Sequence, residues 1–382
     1  MMNNKTKCPI CKKKKFKKFF KSKISLTSDR NLVKKNSDVG YCYKCKVILN
    51  STGCRNQKKF YYDEYNLLGK KANEEFRIYS EKNSGSESEI MANYFFENYK
   101  KPHEGKLLEV GAGKGLFLKH INELLPKMDL YGLEPSKNAA HYFKKNLPKV
   151  KFDQNSLELS KFRKMKFDVI VSTGVIEHVN NPDEFLKITC KLLKPNGTMF
   201  LCLPNFESKV DDLILYDHLS KLTKYSLNLL FDKHNLKLMK QNISKKRVWI
   251  WNVLKKVNNK IKLKRNNNDI KILKQHVLNF NKMDNAYLRY TDKKKDLTFY
   301  GIGNSGFYFY FKYFNKFKNK IKYIVLDNDS LRNSYLFGAK IISRKDIKRY
   351  NINSIYISAN PCYHSLMRKK LKDINFRGKI YN

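Results

Sequence analysis

The chain predicts an α/β protein with a Rossmann-like core of mostly parallel sheet, a small N-terminal module and a second Rossmann-like α/β unit at the C-terminus. Three observations carry this. The apolar run 107–110 opens into Gly111-Ala-Gly-Lys-Gly115, continues into an amphipathic stretch with Leu116, Phe117, Leu118 and Ile121, and reaches a second apolar run ending in Glu134. A separate apolar run, 297–300, leads into Gly301-Ile-Gly-Asn-Ser-Gly306, a helical stretch, the run 321–326 and Asp327. Ahead of both stand two matched cysteine pairs. Short apolar strands that alternate with helices imply a parallel sheet covered on both faces.

In the first unit, strands are expected at 106–110, 130–133, 150–152, 167–172 and 197–203, with helices between the earlier ones. Strand, glycine loop, helix, strand and acid form the front half of a nucleotide-binding unit. Glycines let the backbone approach a ligand, and the helix N-terminus offers unpaired N–H groups to its anionic end. Glu134, twenty-one residues after Gly113, stands where a carboxylate accepts the hydroxyl protons of a ribose. A dinucleotide loop wants its third glycine at position 116; here Leu116 occupies it and Gly115 completes a strict alternation with Gly111 and Gly113.

Cys8-Pro-Ile-Cys11 and Cys42-Tyr-Lys-Cys45 are two C-x-x-C knuckles with thirty residues between them. Four thiolates in two tight turns close a tetrahedral zinc site, and a segment of about 60 residues has little core without one. Residues 1–60 are therefore expected to be a zinc-binding module with Cys8, Cys11, Cys42 and Cys45 as ligands, and the lysine run 12–18 a solvated loop of it. Residues 61–100 read as a helical connector with a Ser/Gly break at 83–88 serving as a helix N-cap region. The first α/β domain is placed at 101–240, a lysine- and asparagine-rich helical linker at 241–292, and the second unit at 293–382. That unit carries a literal G-x-G-x-x-G with an acid twenty-one residues beyond Gly306, which leaves NAD binding open. Its ninety residues suit a small accessory domain better.

The net charge of +45, from 79 Lys and Arg against 34 Asp and Glu, raises a nucleic-acid reading. The excess is mainly lysine and runs from end to end among abundant Asn, Ile, Phe and Tyr. Arginine, whose planar fork suits phosphate and base recognition, is scarce. A nucleic-acid partner is disfavoured on these grounds. No run approaches eighteen apolar residues and the N-terminus has no apolar signal region, so a cytoplasmic protein is expected.

The alternating glycines, flanked by Glu109 and the Glu134-Pro135 pair, resemble motifs I and II of class I S-adenosylmethionine-dependent methyltransferases. Phe167-Asp-Val-Ile-Val-Ser-Thr-Gly-Val-Ile-Glu-His178 and the turn Lys194-Pro-Asn-Gly197 extend the resemblance. It implies that Glu109, Gly111, Gly113, Gly115, Glu134 and Thr173 hold S-adenosylmethionine, and that His178 lines the active site. The layout of cysteine module, methyltransferase core with Asp217-His218 after its fifth strand, and C-terminal glycine unit resembles the zinc-containing nucleotide-sugar C-methyltransferases. That resemblance implies a nucleotide-sugar acceptor, methylated on carbon next to a ketone, with His218 as base and Asp217 as its partner. Members usually carry Glu before this histidine and tyrosine three residues before it, where this chain has Asp217 and Leu215. Oxygen or nitrogen methylation of another small molecule, and an RNA-binding zinc protein, are the alternative readings.

Overall fold

The computed structural model describes residues 5–56, 59–64, 77–78, 85–99, 104–242, 248–258, 268–293, 296–317, 319–327 and 331–382. The central sheet has seven strands: β4 (Gly105–Val110), β5 (Met128–Leu133), β6 (Lys151–Asp153), β7 (Phe167–Thr173), β8 (Leu193–Pro204), β9 (Leu236–Asn242) and β10 (Trp249–Lys256). Their order is β6-β5-β4-β7-β8-β10-β9. The first five are parallel, whereas β10 runs antiparallel to both β8 and β9. The order reverses at β4, so the chain leaves the sheet on opposite sides of β4 and β7 and a crevice opens at their C-terminal ends.

All five strands expected in this domain are present, and β8 begins four residues early because the turn at 194–197 bulges out of an otherwise continuous pairing with β7. Two strands were not expected. Residues 241–292 were read as a helical linker, yet β10 lies within them and joins the central sheet. Its sequence, Trp-Ile-Trp-Asn-Val-Leu-Lys-Lys, is aromatic and β-branched at its start, which favours a strand with an apolar neighbour to pair with. The helical part is α6 (Asp269–Lys293); residues 259–267 lie outside the described ones.

The helices begin where side chains can accept the first free N–H groups. Ser86 caps α1 (Glu87–Asn98), Ser136 caps α3 (Lys137–Asn146), and Asn181, followed by Pro182, caps α4 (Pro182–Leu192). Between them α2 (Leu116–Leu124) buries Phe117, Leu118 and Ile121 against the sheet, each contributing about 1.5–3 kcal/mol. The connector at 61–100 is less helical than expected. Its described part holds one short turn (Phe60–Glu64), a two-residue pairing of Arg77–Ile78 with Gly85–Ser86, and α1; residues 65–76 and 79–84 lie outside the described ones.

In the N-terminal module β1 (Phe16–Ser22), β2 (Ser37–Cys42) and β3 (Val47–Asn50) form an antiparallel sheet with the short strand Lys5–Thr6. The lysine run at 12–18, expected as a loop, becomes strand from Phe16 onward because Phe16 and Phe20 face the module's interior. The fifth strand of this sheet, Ser220–Lys221, comes from the first α/β domain, with Ser220 opposite Leu49 and Lys221 opposite Ile48. The segment around His218 is thereby fastened to the cysteine module.

The C-terminal unit stacks β11 (Leu297–Tyr300), β12 (Ile321–Val325), β13 (Ala339–Ile342), β14 (Ser354–Ile357) and β15 (Lys379–Tyr381) in the order β13-β12-β11-β14-β15, all parallel, with Tyr335–Leu336 antiparallel on the edge of β13. Two helices follow from its loops, α7 (Asn304–Lys312) and α8 (His364–Lys372). α6 packs across it through Phe280, Tyr287 and Tyr290, and Phe280 also meets Phe20 of the module edge-on at 5.3 Å. Among the described residues no helix is long and apolar enough to cross a membrane.

Candidate active site

The glycine loop turns from β4 into α2 under constraints only glycine meets at two points. Gly111 has φ +77° and a Cβ there would stand 2.3 Å from Val175; Gly115 has φ +77° and would meet the Phe143 ring at 2.7 Å. Leu133 at the end of β5 accepts hydrogen bonds from Gly111 and Ala112 N–H at 2.8 and 2.9 Å, which pins the loop to the neighbouring strand. Glu134 then accepts Gly113 N–H at 3.0 Å and Ser136 N–H at 2.8 Å. Burial raises its pKa, while these two N–H groups work against the rise. Glu109, buried on β4, is pushed well above the usual carboxylate range by burial and by the charge of Glu134. Its Oε2 has no hydrogen-bond partner among the described residues.

Glu109, Gly111, Gly113, Glu134 and Thr173 line one cleft of about 1230 Å³. Gly115 does not line it: the residue turns the chain into α2, one step behind the cradle, because Phe143 and Leu147 occupy the space beside it. The cleft is bounded by all three parts of the chain. Arg30, Arg55 and Tyr61 come from the N-terminal side, and Gly301, Asn360, Tyr363 and Lys370 from the C-terminal unit.

His178 and His218 meet in the same cleft, ring centroids 4.7 Å apart and nearly perpendicular. His218 Nδ1 lies 2.5 Å from Asp212 Oδ1, so the carboxylate beside this imidazole is Asp212. Asp217, expected in that role, turns away. Its Oδ1 accepts Ser28 N–H at 2.9 Å, its Oδ2 accepts the Ser28 hydroxyl, and it stands 3.8 Å from His178 Nδ1. The reason is local: residues 210–214 form a short 3₁₀ turn that brings Asp212 beside His218, while Asp217, in the bend before the strand 220–221, is held by Ser28.

Lys221 is fully buried, 2.9 Å from the His218 carbonyl and 3.6 Å from Asp212 Oδ1. Burial acts to raise the Asp212 pKa, but Lys221 and His218 hold it well below the ordinary carboxylate range. Burial lowers both histidines, keeping the rings neutral. Tyr61 Oη lies 2.6 Å from His178 Nδ1, and Glu177, buried beside the pair, is pushed up to about 7 by desolvation. Sequence reading missed Tyr61, Asp212, Ser28 and Lys221, all brought in by folding. Glu177 was visible as the acid before His178.

The four cysteines converge. Cys8 Sγ lies 3.8 Å from Cys45 Sγ, and Cys11 Sγ 3.8 Å from Cys42 Sγ. These separations are far beyond a disulfide bond of about 2.05 Å and match the edge of a tetrahedron with bonds of about 2.3 Å. The Cys45 thiol draws Cys8 down to about 5, toward the thiolate a metal needs. The donor set fits a tetrahedral ion.

At the second glycine loop the acid is already engaged. Asp327 lies 2.5 Å from Arg344 Nε and 2.7 Å from Lys370 Nζ, and accepts from the Tyr300 hydroxyl. A carboxylate so paired does not offer itself to a ribose, and the unit serves the cleft as a wall.

The mostly parallel sheet in this order, the glycine cradle under Glu134 and the cleft at the strand ends make a Rossmann-like α/β domain of the methyltransferase type. A family model described as a methyltransferase domain matches residues 87–241. The ubiquinone biosynthesis O-methyltransferase of Pelagibacter ubique is 36% identical over 121 residues, 30% of this chain and 49% of that protein. Its counterpart in Caulobacter vibrioides is 33% identical over 108 residues, 27% of this chain and 43% of that protein. The chain spans about half the length of these curated relatives. Among solved structures, the plantazolicin methyltransferase BpumL in complex with SAH aligns with a TM-score of 0.38 at 19% identity, over 45% of this chain and 82% of that one.

Proposed function

We propose that the chain methylates a small-molecule acceptor, an activated keto sugar, on the carbon next to its carbonyl. The observation that carries this is His218: a buried, neutral imidazole, held by an ionised carboxylate, lining the same cleft as the glycine cradle. S-adenosylmethionine, when bound, supplies an electrophilic methyl group on its sulfonium. Glu134 would hold its ribose, and the cleft-lining Glu109 would meet its ammonium group. His218 Nε2 takes the proton from the acceptor carbon, and the electrons of that C–H bond become the enolate. Asp212 stabilises the imidazolium that results. That enolate carbon would be the nucleophile for the methyl group that S-adenosylmethionine would supply. Arg30 and Arg55, which line the cleft, supply positive charge for an anionic handle such as a diphosphate. The four cysteines hold a structural zinc ion that fixes the sheet carrying Ser220–Lys221.

A second reading, methylation of a hydroxyl, is favoured by the names of the curated relatives, both ubiquinone biosynthesis O-methyltransferases. The same base serves an acidic hydroxyl. Incubation with labelled S-adenosylmethionine and a panel of keto-sugar nucleotides, read by mass spectrometry with fragmentation, separates the two. Label on a ring carbon supports the first reading; label on oxygen, or none on any keto sugar, sinks it. His218→Ala should lower turnover by about 10²–10⁴-fold with cofactor affinity retained.

A further inference from the structure

The described residues hold a second cluster of metal-ligating side chains, apart from the cysteines. Glu177, His178 and His218 each bring one ligand atom within 4.8 Å of the other two, and all three are buried. His178 Nδ1 is 3.0 Å from the Asp217 carbonyl and 2.6 Å from the Tyr61 hydroxyl. His218 Nδ1 lies 2.5 Å from Asp212 Oδ1. With Nδ1 of each ring so engaged, Nε2 is the ligand atom each would bring. His178 Nε2 is 3.9 Å from Glu177 Oε1, and Glu177 Oε2 is buried with no hydrogen-bond partner among the described residues. Two imidazoles and a carboxylate therefore meet at the cleft wall, close enough to share one ion. Such a group is satisfied by a cation.

We propose that Glu177, His178 and His218 form a divalent transition-metal site, separate from the four-cysteine site. Imidazole and carboxylate ligands suit zinc, cobalt, nickel or ferrous ions, and three protein ligands beside an open cleft leave coordination positions for water or substrate oxygen. Coordination at about 2.0–2.2 Å draws the three ligand atoms together by roughly 1 Å, within reach of side-chain adjustment. The outer layer is already built: Asp212 orients His218, and the Asp217 carbonyl with Tyr61 orients His178, as carboxylates and carbonyls do behind metal-bound histidines. An ion here occupies the lone pair that His218 needs to remove a proton, so metal occupancy and base catalysis exclude one another. That last step rests on the base reading above; the site itself does not.

The test is a titration of the zinc-loaded full-length chain with Co²⁺, followed by visible absorption and by metal analysis after equilibrium dialysis. The expected result is one further equivalent bound, with the weak bands of nitrogen- and oxygen-ligated cobalt and no sulfur-to-metal charge transfer. His178→Ala, His218→Ala and Glu177→Gln should each abolish it, and Asp212→Asn should weaken it by about 10–100-fold. S-adenosylhomocysteine affinity, unchanged in the same variants, reports that each is folded. No further equivalent, or binding undiminished in all three ligand variants, overturns the site. Turnover should fall in step with cobalt occupancy. If cobalt binds and turnover holds or rises, the site stands and the base role of His218 falls.

Discussion

Glu134 joins two tasks in one carboxylate. It ties the glycine loop to the end of β5 through Gly113 and Ser136 N–H, and it stands where a ribose would be held. Hydrogen bonds to a charged group contribute about 1.5–3 kcal/mol each. Glu134→Ala should therefore weaken S-adenosylhomocysteine binding by roughly 10–100-fold by calorimetry, with Glu134→Gln intermediate; unchanged affinity would remove the ribose assignment. This residue was legible because strand, loop and acid lie within one stretch of sequence whose spacing carries the geometry. The partner of His218 was not. Adjacency favoured Asp217, whereas a 3₁₀ turn delivers Asp212 from six residues upstream and Ser28 takes Asp217 from almost two hundred residues away. Tertiary partners of this kind leave no periodic trace.

At the scale of elements, the five parallel strands were legible from their short apolar runs, while β9 was hidden by its own lysines on the sheet edge and β10 by the lysine- and asparagine-rich stretch around it. α6 carries a pH signature at its start. Asp269, buried and 2.5 Å from the Thr223 hydroxyl, is pushed up to about 6 from an ordinary 3.8, chiefly by desolvation. The folded state thus binds this proton more tightly than the unfolded chain does. The resulting stability is fully present below pH 3.8 and is lost as pH rises through about 6. The shift corresponds to about 3 kcal/mol at most. Asp269→Asn should raise stability above pH 6 by about 1–3 kcal/mol and flatten its decline between pH 4 and 6, as read from urea unfolding at stepped pH; a parallel pH profile in the variant would refute the assignment. The cysteine module predicts a second outcome. Because β3 pairs with Ser220–Lys221, replacing Cys8 and Cys45 by serine should release zinc, lower the unfolding temperature and depress turnover together. Zinc that persists in that variant would rule out the four-thiolate site.

The whole molecule is less divisible than its three sequence segments suggest. The module packs on α6 through Phe20, its Ser22 hydroxyl meets the Tyr308 hydroxyl of α7 at 2.6 Å, and its sheet is completed by the loop that bears His218. The cleft consequently has walls that belong to different parts of the chain, and they should separate in function. On the proposed reading the glycine loop would serve the methyl donor, and the C-terminal wall, whose own glycine loop has its acid engaged by Arg344 and Lys370, the acceptor. Asn360 is the link that tests this. Its amide donates to Asp211 Oδ1 at 2.8 Å, both groups buried, and so joins the C-terminal unit to the turn that positions Asp212. Asn360→Ala leaves a buried carboxylate without that donor, at a cost of about 1–3 kcal/mol. It should also let the acceptor wall shift relative to His218. We expect a lower unfolding temperature, a raised KM for the acceptor and an unchanged Kd for S-adenosylhomocysteine. Equal losses in both affinities would mean that the C-terminal unit supports the whole cleft rather than one side of it.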